Sequence, residues 1–220
     1  MVALFVVLTF VLFIVVDIFV LKAQRKSHPA LTKSPGAVFN KGSISHPELV
    51  YVSKGHTWIQ PLTDGTARVG IDDFVLKALG KLSITKIAPE QSRVKRGETI
   101  LEGTCGNTSV SFRSPVDGTV KSVNKGILNK TLSEPYQSGW GLVISLSNWE
   151  GNLKDLKTGT TLNSWLKDEV SRLKDFLAVS SLKPELAGIT MHDGGNIVEG
   201  AVSNIDAESM KNFEKEFLTF

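Results

Sequence analysis

Cysteine is almost missing from this 220-residue chain: Cys105 stands alone, so no internal disulfide can form, and a reducing compartment fits that count. An excess of one charge is missing too. The net charge is +3, and basic residues are scattered among acidic ones over most of the length, which leaves no nucleic-acid footprint. There is no nucleophile–base pair, no phosphate-cradling glycine loop and no metal cluster. His192 sits in Met191-His192-Asp193-Gly194-Gly195, and one histidine beside one aspartate reads as a loop rather than a ligand set. A long heptad stretch is absent, which excludes an extended coiled-coil hairpin. The expectation is a protein that is not an enzyme and holds no cofactor or metal.

One long apolar run is present. Residues 2–21 are nearly all Val, Leu, Ile and Phe. As a helix rising about 1.5 Å per residue, such a run spans roughly 30 Å, the thickness of a bilayer core. No basic stretch precedes it and no small-residue cleavage site follows it, so residues 1–22 read as a transmembrane helix rather than a signal peptide. Asp17 is the one ionisable residue inside the run. A charge at the bilayer centre costs about 2.5–3.5 kcal/mol on insertion scales. Asp17 lies near one end, where it either reaches the interface or meets a polar group on a partner membrane subunit. Lys22, Arg25, Lys26, Lys33 and Lys41 follow, with no acidic residue until Glu48. Positive flanks stay on the cytoplasmic side. The expected topology is a single pass through the inner (cytoplasmic) membrane, N-terminus outside, soluble part in the cytoplasm.

Residues 23–48 read as a basic linker containing Pro29, Pro35, Pro47, glycines and serines, suited to touching anionic head groups. From residue 49 to 146 the chain reads as β. Short runs of β-branched and apolar residues at 49–52, 57–60, 67–71, 110–112, 118–123 and 141–146 are separated by turn signals such as Thr63-Asp64-Gly65, Lys95-Arg96-Gly97 and Val116-Asp117-Gly118. A short helix is expected over residues 72–79, with Gly80 as its stop. A longer one is expected over 161–177, where Leu162, Trp165, Leu166, Val170, Leu173, Phe176 and Leu177 recur at helical spacing. Pro184 ends any continuation. A last helix starts near Asp206 and carries Met210, Phe213 and Phe217, which either pack on the domain or face a partner.

Several ordered motifs, from about residue 51 to 177, resemble the H protein of the glycine cleavage system. His56-Thr57-Trp58 looks like that family's opening strand. Val69-Gly70-Ile71-Asp72-Asp73-Phe74 with Leu79-Gly80 looks like its strand-to-helix segment, and Val94-Lys95-Arg96-Gly97-Glu98 like its basic turn. Ser114-Pro115-Val116-Asp117-Gly118, with Val120 and Val123-Asn124, looks like the turn after the lipoyl hairpin. Pro135-Tyr136 and Gly139-Trp140 look like its Pro-Tyr…Gly-Trp element. The resemblance implies a mainly β fold: an antiparallel barrel-sandwich hybrid of the lipoyl type over residues 49–178, with flanking helices and the N-terminal transmembrane helix. Residues 179–220 would add a small C-terminal α/β extension.

The resemblance also implies a lysine on an exposed hairpin, seven residues before the Ser-Pro-Val turn, that carries lipoic acid as an amide. Counting back from Ser114 gives Asn107, and no lysine lies between Lys95 and Lys121. The Gly106-Asn107 pair still reads as a tight hairpin turn. The hairpin is therefore expected to persist without its arm. Cys105, beside the tip, has no neighbouring cation in sequence to activate it and reads as an inert side chain. His56 reads as structural or as lining a cavity mouth. The sequons at Asn107 and Asn129 mean nothing on a cytoplasmic domain.

Three functions follow. The first is a membrane-tethered scaffold or accessory subunit that docks on an integral membrane or membrane-associated protein complex. The second is a glycine-cleavage carrier, which the missing lysine disfavours. The third is a periplasmic efflux adaptor, which the basic flank and the absent heptads disfavour.

Overall fold

The computed structural model describes residues 12–16, 37–180, 191–192 (backbone only) and 196–220. The chain divides into two units, Met1–Gly36 and Ala37–Phe220. In the first, residues 12–16 are helical. Among the described residues no helix is long and apolar enough to cross a membrane. The transmembrane helix expected over residues 1–22 lies outside the described residues except at 12–16, and Asp17 lies outside them altogether.

The second unit is mainly β. Its strands are β1 (Val38–Phe39), β2 (Tyr51–Val52), β3 (Thr57–Pro61), β4 (Thr66–Ile71), β5 (Leu82–Ile87), β6 (Arg93–Val94), β7 (Thr99–Cys105), β8 (Thr108–Arg113), β9 (Gly118–Val123), β10 (Trp140–Leu146), β11 (Met191–His192) and β12 (Asn196–Val198). Its helices are α1 (Asp73–Leu79), α2 (Trp149–Leu153), α3 (Gly159–Ser180) and α4 (Ala207–Phe217). Among the described residues three antiparallel sheets form, in the orders β2-β3-β4-β10-β9-β6, β5-β7-β8 and β1-β12-β11.

Alternation explains which face of each strand turns inward. On β4, Ala67, Val69 and Ile71 are buried while Arg68 is exposed; on β10, Leu142 and Ile144 are buried and Val143 and Ser145 are half-buried. From the other layer, Leu101 of β7 presses on β10, where a Cβ placed on Gly141 would lie 2.8 Å from its Cδ1. The two layers therefore share one core. They do not close into a barrel, which corrects that part of the expectation. The six-stranded sheet ends in β2 and β6, each two residues long. The outer edge of β2 is already satisfied by Lys157, with reciprocal backbone hydrogen bonds to Val52 of 2.8 and 2.9 Å.

The helices follow from their caps and stripes. Asp72 is the N-cap of α1, its Oδ1 accepting from the Val75 N–H at 3.0 Å. Gly80 closes that helix at φ 74, a left-handed position that suits glycine. Helix α3 buries Leu162, Leu166, Val170, Leu173 and Leu177 in the core. Each such side chain contributes about 1.5–3 kcal/mol by leaving water. Helix α4 begins at the Asp206 N-cap, which accepts from Glu208 and Ser209.

The segment expected as linker, 23–48, contains structure of its own. Residues 38–39 form β1, which pairs with β12, and Phe39 is fully buried.

Candidate functional site

Strands β7 and β8 form a two-residue hairpin, with Cys105 opposite Thr108 and Gly106-Asn107 at the tip. Gly106 has φ 60 and Asn107 does not have a positive φ, the pattern of a II′ turn, whose twist matches that of the paired strands. Both tip residues are exposed. From Thr99 to Arg113 the hairpin contains no side-chain amine. The next turn is built as the sequence suggests: the Ser114 hydroxyl donates to the Val116 carbonyl at 2.6 Å, and the Asp117 carboxylate accepts from the Arg96 N–H at 2.9 Å.

Cys105 faces away from the tip region's solvent. It is buried, and its thiol donates to the Leu79 carbonyl at 3.0 Å. Burial pushes the thiol above its ordinary value, against a smaller opposite effect of its hydrogen bond with Ser203. This is the environment of an inert thiol.

His56 is a strongly perturbed group outside the hairpin. It is 0% exposed and adopts φ 58, unusual for a residue with a Cβ. Its Nδ1–H donates to Asp72 Oδ2 at 2.7 Å, and its Nε2 lies 3.8 Å from Glu169 Oε2, beyond hydrogen-bonding reach. The ring is stacked between Phe74, at 4.4 Å and 17°, and Trp165, at 4.9 Å and 25°. Burial alone would lower its pKa. The charge and hydrogen bond of Asp72, joined by Glu169, outweigh that and raise it to about 9. Asp72 and Glu169 thus favour the protonated form of His56. Glu169, 2% exposed, is held below the ordinary carboxylate range despite its burial, by His56 and by Arg172, whose Nη1 donates to both carboxylate oxygens at 2.7 and 2.9 Å.

The cluster therefore runs Asp72, His56, Glu169, Arg172. It joins the start of β3, the cap of α1 and the middle of α3. His56, Asp72 and Glu169 are buried, only Arg172 reaches solvent, and no nucleophile lies against the cluster, so its chemistry is structural. Trp58 and Tyr136 are likewise committed: the indole N–H donates to the Ile71 carbonyl at 3.0 Å, and the Tyr136 ring packs on Trp58 with its oxygen accepting from the Asp73 N–H at 3.4 Å. Among the described residues no group of His, Cys, Asp and Glu is placed to hold a metal ion.

Met210, Phe213 and Phe217 were open to a partner-facing reading, and the structure overturns it. All three are buried, with Phe217 against Phe74, Phe176 and Phe213. The stripe is spent on the protein's own core. His192, which the sequence reads as part of a loop, has its backbone in β11, and its side chain lies outside the described residues. Glu169 was not singled out by the sequence, although its spacing from Leu166 and Leu173 puts it on the apolar face of α3.

The model of the glycine cleavage H-protein family matches residues 49–169. The chain belongs to the glycine cleavage H-protein family. It is 31% identical over 129 residues to a probable glycine cleavage system H protein of Pyrococcus furiosus, covering 57% of this chain and 96% of that protein. It is 30% identical over 131 residues to the glycine cleavage system H protein 4 of Aquifex aeolicus, covering 57% of this chain and 74% of that protein. A crystal structure of a glycine cleavage system H protein from Mycobacterium marinum superposes with a TM-score of 0.43 and 25% identity, over 46% of this chain and 87% of that chain. The H-family segment includes the hairpin, the His56 cluster as far as Glu169 and both core layers. It excludes β1, β11, β12 and α4.

Proposed function

We propose that this H-family chain is a non-catalytic docking module, held at the cytoplasmic face of the inner membrane by its N-terminal segment and lacking the lipoyl arm. The observation that carries the reading is the hairpin tip. The position that the family resemblance assigns to the acylated lysine holds Asn107, and the hairpin around it offers no amine. A lipoyl amide forms through attack by a free amine lone pair. The lone pair of an asparagine amide is delocalised into its own carbonyl and does not serve. What is left at the tip is an exposed, uncharged turn on two well-paired strands, suited to being contacted by a partner. The apolar run over residues 2–21 and the basic residues after it support the tether and its orientation. The partner is a membrane-bound or membrane-associated protein complex and not a nucleic acid.

The carrier reading is favoured by a different observation: relatives named as glycine cleavage system H proteins align along nearly their whole length, 96% in the Pyrococcus case. One experiment separates the two. The protein is purified from its own membranes, its intact mass is measured, and the chains that copurify are identified. An unmodified mass with constant stoichiometric partners is expected. A mass increment of one lipoyl group would put the carrier first, and a protein that always runs alone would sink the docking reading.

A further inference from the structure

Two segments outside the family match, one before residue 49 and one after residue 169, come from opposite ends of the folded unit and are bonded to each other. Val38 pairs with Val198 and Phe39 with Ile197, and the Glu199 N–H donates to the Ala37 carbonyl at 2.7 Å. Phe39 and Ile197 are both fully buried at this seam. The chain that follows β1 is fastened as well. The Ser45 N–H donates to Asp73 Oδ2 at 3.1 Å, and the Lys77 ammonium holds Asp73 Oδ2 at 2.7 Å while also donating to the Ser43 carbonyl. His46 Nε2 meets the Asn163 side chain at 2.9 Å.

The C-terminal segment is in turn seated on the H-type core. The Gly200 N–H donates to the Lys77 carbonyl at 2.8 Å. Backbones approach so closely there that a Cβ on Gly80 would lie 2.8 Å from the Gly200 Cα. Farther along, Glu214 Oε1 accepts from the Ser111 N–H at 2.9 Å, so α4 covers the outer edge of β8. Arg172 donates to the Glu216 carbonyl at 3.1 Å and lies over the Phe217 ring.

We infer that the C-terminal extension is the mooring of the chain's own incoming strand: it fixes residues 37–46 to the H-type core. Pairing explains why the two additions occur together. A two-residue strand such as β1 has too few ladder bonds to hold itself, and β12 supplies them.

The test is hydrogen exchange, read by mass spectrometry on the full detergent-solubilised chain. In the native chain the amides of residues 38–45 are expected to be protected. Glu199→Pro removes the donor to Ala37 at an exposed position, and Phe39→Ala removes the buried anchor. In either variant, residues 38–45 should exchange at open-chain rates while β3, β4 and β10 stay protected. Protection of 38–45 that survives both substitutions overturns the mooring. So does a loss of protection that spreads equally through β3, β4 and β10, because the extension is then merely part of one cooperative core. This readout needs no partner, so a failure to find copurifying chains leaves it standing, and its own failure leaves the docking reading to the purification.

Discussion

The Asp72 carboxylate serves two elements at once: Oδ2 accepts the His56 Nδ1–H at 2.7 Å while Oδ1 caps α1 through the Val75 N–H at 3.0 Å. The ring it charges has a folded-state pKa of about 9, raised from 6.5. A raised pKa means that the folded state binds the proton more tightly. The stabilisation is complete below the unfolded value near 6.5 and is lost as pH rises through 9. Glu169 has a depressed pKa, so its contribution is present above 4.5 and is lost as pH falls. Stability should peak between these values. Urea unfolding across the alkaline range should show a fall on the order of 3 kcal/mol. A flat profile would mean that His56 is neutral in the folded protein. His56→Asn, which tolerates a left-handed backbone, should abolish the alkaline slope.

Glu169→Gln tests the second carboxylate without changing the size of the side chain. Removing the charge leaves Arg172 with a neutral partner and takes one anion from beside His56. The expected cost is about 1–3 kcal/mol. The imidazole titration, followed by NMR, should move to lower pH. A stability loss with an unmoved titration would assign the contribution of Glu169 to its pair with Arg172 alone.

Cys105 should be silent in the folded protein. Its thiol is buried, raised in pKa and bonded to the Leu79 carbonyl. Labelling by a thiol reagent at mildly alkaline pH should proceed only as fast as the structure opens, and become immediate in concentrated urea. Rapid labelling without denaturant would place the thiol at the surface and reopen a redox role.

Helix ends and strand alternation were legible because they are local. Asp72, Gly80 and Asp206 mark their helices by their own chemistry, and the motifs around Trp58 and Ser114 carry the family resemblance. Long-range partners were not legible. Glu169 shares the apolar face of α3, but only the fold brings His56 beside it. Residues 38–39 look like linker because two residues show no period, and only β12, far along the chain, makes them a strand. The open sheets were missed for the same reason: the bond from β2 to Lys157 leaves no mark in either segment alone. The stripe of Met210, Phe213 and Phe217 is equally plain in the sequence whether it faces a partner or the core, and only the packing on Phe74 and Phe176 decides it.

The Glu214–Ser111 contact should matter for solubility as well as for stability. Strand β8 is the edge of its sheet, and Glu214 satisfies one outward N–H there. Glu214→Ala leaves that donor to water and should cost about 0.5–1.5 kcal/mol. It should also raise self-association, because an uncovered edge is a template for pairing. Light scattering after a cycle of mild heating reads this. Unchanged scattering would show that the bulk of α4, rather than its carboxylate, guards the edge.

Asn107→Lys asks how much of a carrier hairpin persists. Asn107 has no positive φ, so a lysine fits the turn without strain. The position is exposed, and the substitution should change stability by no more than about 0.5 kcal/mol. Expressed in a host that lipoylates its own carrier proteins, the native chain should keep its unmodified mass. The lysine variant should gain one lipoyl increment, since an amine then stands on an intact two-stranded arm. If the folded variant stays unmodified, the chain has lost more than the acceptor: the surface read by the attaching enzyme has changed too, and reversion at one residue cannot restore a carrier. If the native chain is modified, the acceptor lies elsewhere in the sequence, and the reading of Asn107 as the vacant position is wrong.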